Sequence, residues 1–152
     1  MSRGPLSPGK IRGLTTTSTE QGVFTILAID HRDSLRMVVA PDDPESFSAS
    51  ALTEIKLSLV RSLGAEASGV MLDPEYGAAQ AVVSRALPGS VGFLAALEAQ
   101  GYLGDPLARQ TALLDDWTVE KAKRLGASGV KLLVLYRPDA GPVSDAQDEL
   151  VA

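Results

Sequence analysis

Lys131 is the residue whose setting most demands a chemical explanation. It sits in Gly129-Val130-Lys131-Leu132-Leu133-Val134-Leu135-Tyr136, a stretch that is otherwise almost wholly apolar. An ammonium there is costly unless it is paired or opens into a cavity. Burial would depress its pKa, and a neighbouring carboxylate would hold it up. Of Lys10, Lys56, Lys121, Lys123 and Lys131, only the last is set in a strongly apolar strand. A lysine so placed can meet a carbonyl or phosphate at the open end of a parallel sheet. It can equally serve a structural ion pair, or snorkel to water.

Asp30 is its natural counterpart. It stands where the apolar run Phe24-Thr25-Ile26-Leu27-Ala28-Ile29 stops, the end at which parallel sheets carry their sites. It could orient a lysine or take a proton from a substrate hydroxyl, or simply cap the next helix. His31 could serve acid–base chemistry, although a lone loop histidine is more often a surface residue. Arg32 is suited to bidentate phosphate binding, or to a surface salt bridge. Asp73 and Glu75 end a second strand and put more acid at the same rim. Two carboxylates can make a glycosidase pair, although acids in a Pro-containing turn usually serve the turn. Tyr136, Arg137 and Asp139 close the last strand.

The elements that would position these side chains follow from hydropathy. Residues 24–29, 69–72, 91–97 and 129–136 read as strands, and the runs apolar on both faces predict cover on both sides. Helices are expected over 34–40, 48–63, 78–87 and 117–125, with another beginning near 145. The 48–63 helix carries Leu52, Ile55, Leu59, Val60 and Leu63 at helical spacing. Residues 98–112 read as a long polar loop, and Trp117 and Phe47 as core. Residues 1–22 are polar and rich in Gly, Pro, Ser and Thr, and read as an arm with at most one helical turn. The alternation predicts an α/β fold with parallel pairing through crossovers. Gly64-Ala65 and Gly126-Ala127 each precede a Ser-Gly-Val strand entry, a repeated joint between helix and strand.

Composition narrows the chemistry. The 152 residues suit one domain, and an apolar fraction of 45% argues against wholesale disorder. There are no cysteines and one histidine, so disulfides, thiolate catalysis, cysteine metal sites and paired-histidine devices are excluded. No metal site is expected. A net charge of −5 disfavours nucleic acid as a partner. The absence of any apolar run of about 18 residues predicts no membrane span. An N-terminus without an apolar segment predicts no secretory leader, and hence a cytoplasmic protein. The Gly-rich phosphate-cradling fingerprints of mononucleotide and dinucleotide sites are absent.

Three segments, in order and spacing, carry a family resemblance. Residues Phe24 to Arg32 resemble the first strand of the tagatose-1,6-bisphosphate aldolases. Met71-Leu72-Asp73-Pro74-Glu75-Tyr76-Gly77 resembles their second-strand signature. Gly129 to Arg137 resembles their fourth strand, and that of the related sulfofructosephosphate aldolases. The resemblance covers nearly the whole chain. It implies a parallel (β/α) barrel of the TIM type, here an incomplete half barrel with four strands over residues 23–152. It implies a class I aldolase that needs no metal or other cofactor. Such an enzyme cleaves a ketose bisphosphate, such as tagatose 1,6-bisphosphate, to dihydroxyacetone phosphate and glyceraldehyde 3-phosphate through a Schiff base. 6-Deoxy-6-sulfofructose 1-phosphate is the alternative substrate.

By position, Asp30 resembles the family's first-strand active-site aspartate, and Lys131 its fourth-strand lysine, which assists the carbinolamine steps. Arg32, Asp73 and Tyr136 are expected to bind substrate. The family's Schiff-base lysine lies on the sixth strand and a glutamate acid/base on the fifth. Neither has a match among these residues, since a full barrel takes about 250. The expected partners are the sugar phosphate and either a second copy or a complementing C-terminal half. The competing reading is a noncatalytic fragment or interaction module.

Overall fold

The computed structural model describes residues 4–99 and 109–152. Four parallel strands lie side by side in chain order: β1 (Ile26–Ile29), β2 (Gly69–Leu72), β3 (Gly92–Ala96) and β4 (Gly129–Lys131). The register aligns Ala28 with Met71, Met71 with Leu94, and Ala96 with Lys131. Among the described residues, six α-helices accompany them: α1 (Pro8–Thr16), α2 (Asp33–Val39), α3 (Ala49–Leu63), α4 (Ala78–Val83), α5 (Val119–Leu125) and α6 (Pro142–Val151). The expected α/β alternation is therefore observed, with strands and helices in the expected order.

Strand alternation divides the side chains between two faces. Ile29, Val70, Leu72, Phe93 and Ala95 form the core with Val60 of α3, Ala78 and Ala81 of α4, and Ala122 of α5. Trp117 packs partly buried against that core. The opposite parity, Ala28 and Met71, looks into a cavity at the C-terminal ends of the strands.

Helix boundaries follow local chemistry. Ser48 caps α3 by accepting from Ala51 N at 3.2 Å, and Thr118 caps α5 by accepting from Lys121 N at 3.2 Å. Gly126 ends α5 in the left-handed conformation, φ +99°. The helix expected to reach residue 87 stops at Val83. There the backbone turns out through Arg85, φ +55°, and the amides of Ala86 and Leu87 both return to Ala81 O.

Two expectations are corrected. The N-terminal arm contains a nine-residue helix, α1, started by Ser7 and by Pro8 at its first position. Its threonines end it rather than start another. The hydroxyls of Thr15 and Thr17 donate to Ile11 O at 2.9 Å and Gly13 O at 2.8 Å. α1 crosses the N-terminal ends of the strands. Thr16 O lies so close to Gly92 that a Cβ on that glycine would sit 2.5 Å from it.

The second correction concerns β4, expected to run to residue 136. Pairing stops at Lys131, opposite the end of β3. Beyond it, Leu133 N donates to Glu98 Oε2 at 3.2 Å, and Leu133 O accepts from Thr111 Oγ1 at 2.7 Å. Side chains take the backbone groups that a ladder would need. The polar loop expected over 98–112 begins with a bridge between Glu98 and Leu113; residues 100–108 lie outside the described residues.

Candidate active site

The strand ends bring the two principal candidates together. Asp30 follows β1 and Lys131 ends β4, both on the face of the sheet opposite the core. Lys131 Nζ donates to Asp30 Oδ2 at 2.8 Å and also to Glu98 Oε1. Glu98 follows β3 and is buried. One ammonium is thus clamped by two carboxylates at the rim of a cavity of about 260 Å³. Ala28, Met71, His31, Ser34 and Ala99 complete its lining with Arg32.

The electrostatics of the clamp fix the protonation of Lys131. Partial burial pulls its pKa down, but the hydrogen bonds and charges of Asp30 and Glu98 outweigh that, leaving it above the ordinary lysine value. At neutral pH the group is an ammonium. It can hold an anionic oxygen or give up a proton to one, but it is a poor amine nucleophile.

Arg32 also lines the cavity, with its guanidinium already engaged. It donates to Glu75 Oε2 at 2.5 Å and to Glu98 O at 2.7 Å, bracing the end of β2 against the end of β3. His31 is largely exposed, with Nδ1 3.9 Å from Asp30 Oδ1.

The other two expected substrate-binding residues lie elsewhere. Asp73 is fully buried and does not line this cavity. One carboxylate oxygen pairs with Lys56, and the other accepts from Glu75 N at 3.0 Å and Tyr76 N at 2.7 Å. Tyr136 is half exposed. It sits 3.4 Å from Asp148 Oδ2 and lines a separate depression with Arg109 and Arg137. The negative charge of Asp148 chiefly pushes the Tyr136 phenol upward.

Sequence reasoning missed Glu98 and Lys56. The sequence puts Glu98 at the start of a polar loop; its signal is its place directly after an apolar strand. Lys56 is completely buried, more so than Lys131. Its signal was a four-residue spacing with Leu52 and Val60, which puts it in the middle of the buried stripe of α3. Burial drives its pKa below the ordinary lysine value, only partly offset by Asp73. Among the described residues, no three acidic or histidine side chains gather as a metal-binding group, and no helix is long and apolar enough to cross a membrane.

A sequential parallel sheet with helices between its strands is the arrangement of part of a (β/α) barrel. A crystal structure of an archaeal fructose 1,6-bisphosphate aldolase matches the fold with a TM-score of 0.55 at 22% identity, covering 93% of this chain and 49% of that one. The model of the DeoC/LacD family aldolases matches residues 24–148, and the chain belongs to that family. It is 32% identical over 144 residues to tagatose 1,6-diphosphate aldolase 2 of Streptococcus mutans, covering 95% of this chain and 43% of that protein. It is 35% identical over 137 residues to tagatose 1,6-diphosphate aldolase 2 of Enterococcus faecalis, covering 90% and 40%. The chain therefore spans about two fifths of the length of these curated relatives.

Proposed function

We propose that this chain supplies the Asp30–Lys131 part of a class I aldolase site acting in the cytoplasm on a ketose bisphosphate. The substrate favoured by the relatives' names is tagatose 1,6-bisphosphate. The observation that carries the reading is the convergence of Asp30, Glu98 and Lys131 on one cavity at the C-terminal rim.

The chemistry assigns each group a task. A lysine amine supplied from outside the described site attacks the substrate's C2 carbonyl, and the carbinolamine loses water to give an iminium. A base takes the proton from the C4 hydroxyl. The C3–C4 bond breaks, its electrons enter the iminium as an enamine, and glyceraldehyde 3-phosphate leaves. Protonation at C3 and hydrolysis release dihydroxyacetone phosphate and regenerate the amine. The Lys131 ammonium stabilises oxygen charge at the carbinolamine stage. As a second cation it also lowers the pKa of the attacking amine. Asp30 holds Lys131 and faces the substrate hydroxyls, and Arg32 shapes the rim.

The test is borohydride trapping with dihydroxyacetone phosphate, followed by peptide mapping. The chain alone should give no adduct at Lys131. Weak binding of the sugar phosphate should be seen by calorimetry and lost in Lys131→Met. An adduct on Lys131 would overturn the role given to it, and binding untouched by Lys131→Met would overturn the site. The competing reading is a noncatalytic fragment or interaction module. Cleavage of tagatose 1,6-bisphosphate by the full gene product, measured by triose phosphate release, separates the two.

A further inference from the structure

We propose that the buried Lys56–Asp73 pair is a positioning device that holds Asp30 and Lys131 in register. The inference rests on the reading of Asp30 and Lys131 as members of the reacting site.

Lys56 lies on α3 between Leu52 and Val60, all three sealed from solvent. An apolar side chain of similar length would serve that packing as well, because desolvating two charges offsets much of their attraction. What the pair adds is direction. Lys56 Nζ donates to Ile29 O at 2.9 Å and to Asp73 Oδ2. Ile29 is the last residue of β1, so this bond fixes the peptide from which Asp30 projects.

A second route leaves through Asp73. Its other oxygen fixes the amides of Glu75 and Tyr76, and so the turn after β2. Glu75 holds Arg32, Arg32 holds the carbonyl of Glu98, and the Glu98 carboxylate holds Lys131. The ends of all four strands are therefore tied through one buried ammonium, by two routes that reach the same clamp. Neither Lys56 nor Asp73 lines the cavity, so both act through other residues.

The test follows the titration of the Lys131 side chain by NMR of its ε-methylene in the full chain. The pair is replaced by Lys56→Met with Asp73→Asn, which removes both charges at nearly constant volume and keeps an acceptor for the Glu75 and Tyr76 amides. Thermal unfolding should remain close to wild type. The Lys131 midpoint should fall toward the ordinary lysine value as its carboxylates drift. An unchanged midpoint in the folded double variant overturns the proposal. Should that variant fail to fold, Glu75→Gln decides. It cuts the relay at a partly exposed position, where a fall supports the proposal and an unchanged midpoint overturns it. Titration reads the placement of the amine whether or not a sugar phosphate turns over, so failure of the aldolase reading leaves this test intact.

Discussion

Lys131 Nζ sits 2.8 Å from Asp30 Oδ2, a contact between side chains 101 residues apart in the chain. The contact spans the sheet from its first strand to its fourth, which only a curved sheet allows. Curvature, charge pairing and cavity are one construction: if the sheet flattened, the ammonium would be left with Glu98 alone.

Replacing Lys131 by Met leaves two carboxylates facing each other in a largely buried place. The variant should lose about 1–3 kcal/mol in urea unfolding, below the full cost of breaking a sealed pair because Lys131 is 20% exposed. A loss within about 0.5 kcal/mol, the ordinary scatter for surface changes, would show that the clamp carries no stability.

The same residue sets an alkaline limit. Its folded pKa is raised above the ordinary 10.5, so its contribution is fully present below pH 10.5 and is lost as the pH rises through the folded value. Lys56 runs the other way. Its folded pKa is lowered, so its charge costs stability at low pH, and that cost fades as the pH rises toward 10.5. The stability difference between wild type and Lys131→Met should therefore hold steady through pH 9–10 (roughly, given one-unit titration widths) and shrink above 10.5. A difference that grows in that range would contradict the raised value.

The docking of α1 depends on Gly13, where a Cβ would lie 2.3 Å from Ser128 O. Gly13→Ala should destabilise the chain by about 1–3 kcal/mol and expose residues before 20 to protease. Gly9→Ala is the control. Nothing lies within 4 Å of its Cβ, and it should be neutral or stabilising by up to about 1 kcal/mol. Equal effects of the two changes would remove the packing argument.

Among the described strands, β1 and β4 are the sheet's two edges, and Phe24 and Val130 stand exposed beside them. Edges and apolar side chains of this kind invite pairing. Sedimentation of the chain should give dimers or larger species at micromolar concentration. A sharp, folded monomer would refute this.

Much of the fold was legible because strand signals here are continuous apolar runs that stop at charged residues. Ile29-Asp30 and Leu72-Asp73 announced both an ending and a rim. Asp30 and Lys131 were legible for the same reason, since each interrupts or ends such a run. Lys56 was not, because a lysine in an amphipathic helix normally reads as solvent-facing, and only the partner at Asp73 makes its burial tolerable. α1 was hidden by its composition. Threonines that return hydroxyls to the preceding turn look like a starting signal in the bare sequence. The length of β4 was overestimated because hydropathy does not record that Glu98 and Thr111 take the backbone of Leu133.

Glu98 holds the Lys131 ammonium with one oxygen and the Leu133 amide with the other. Charge balance at the cavity and the point where β4 leaves the sheet are therefore two readouts of a single carboxylate. Any variant at this residue is pleiotropic. A lost activity in Glu98→Gln would report a shifted chain trace as much as a missing charge, so Glu98 is the wrong place to dissect chemistry and the right place to ask how shape and charge were selected together.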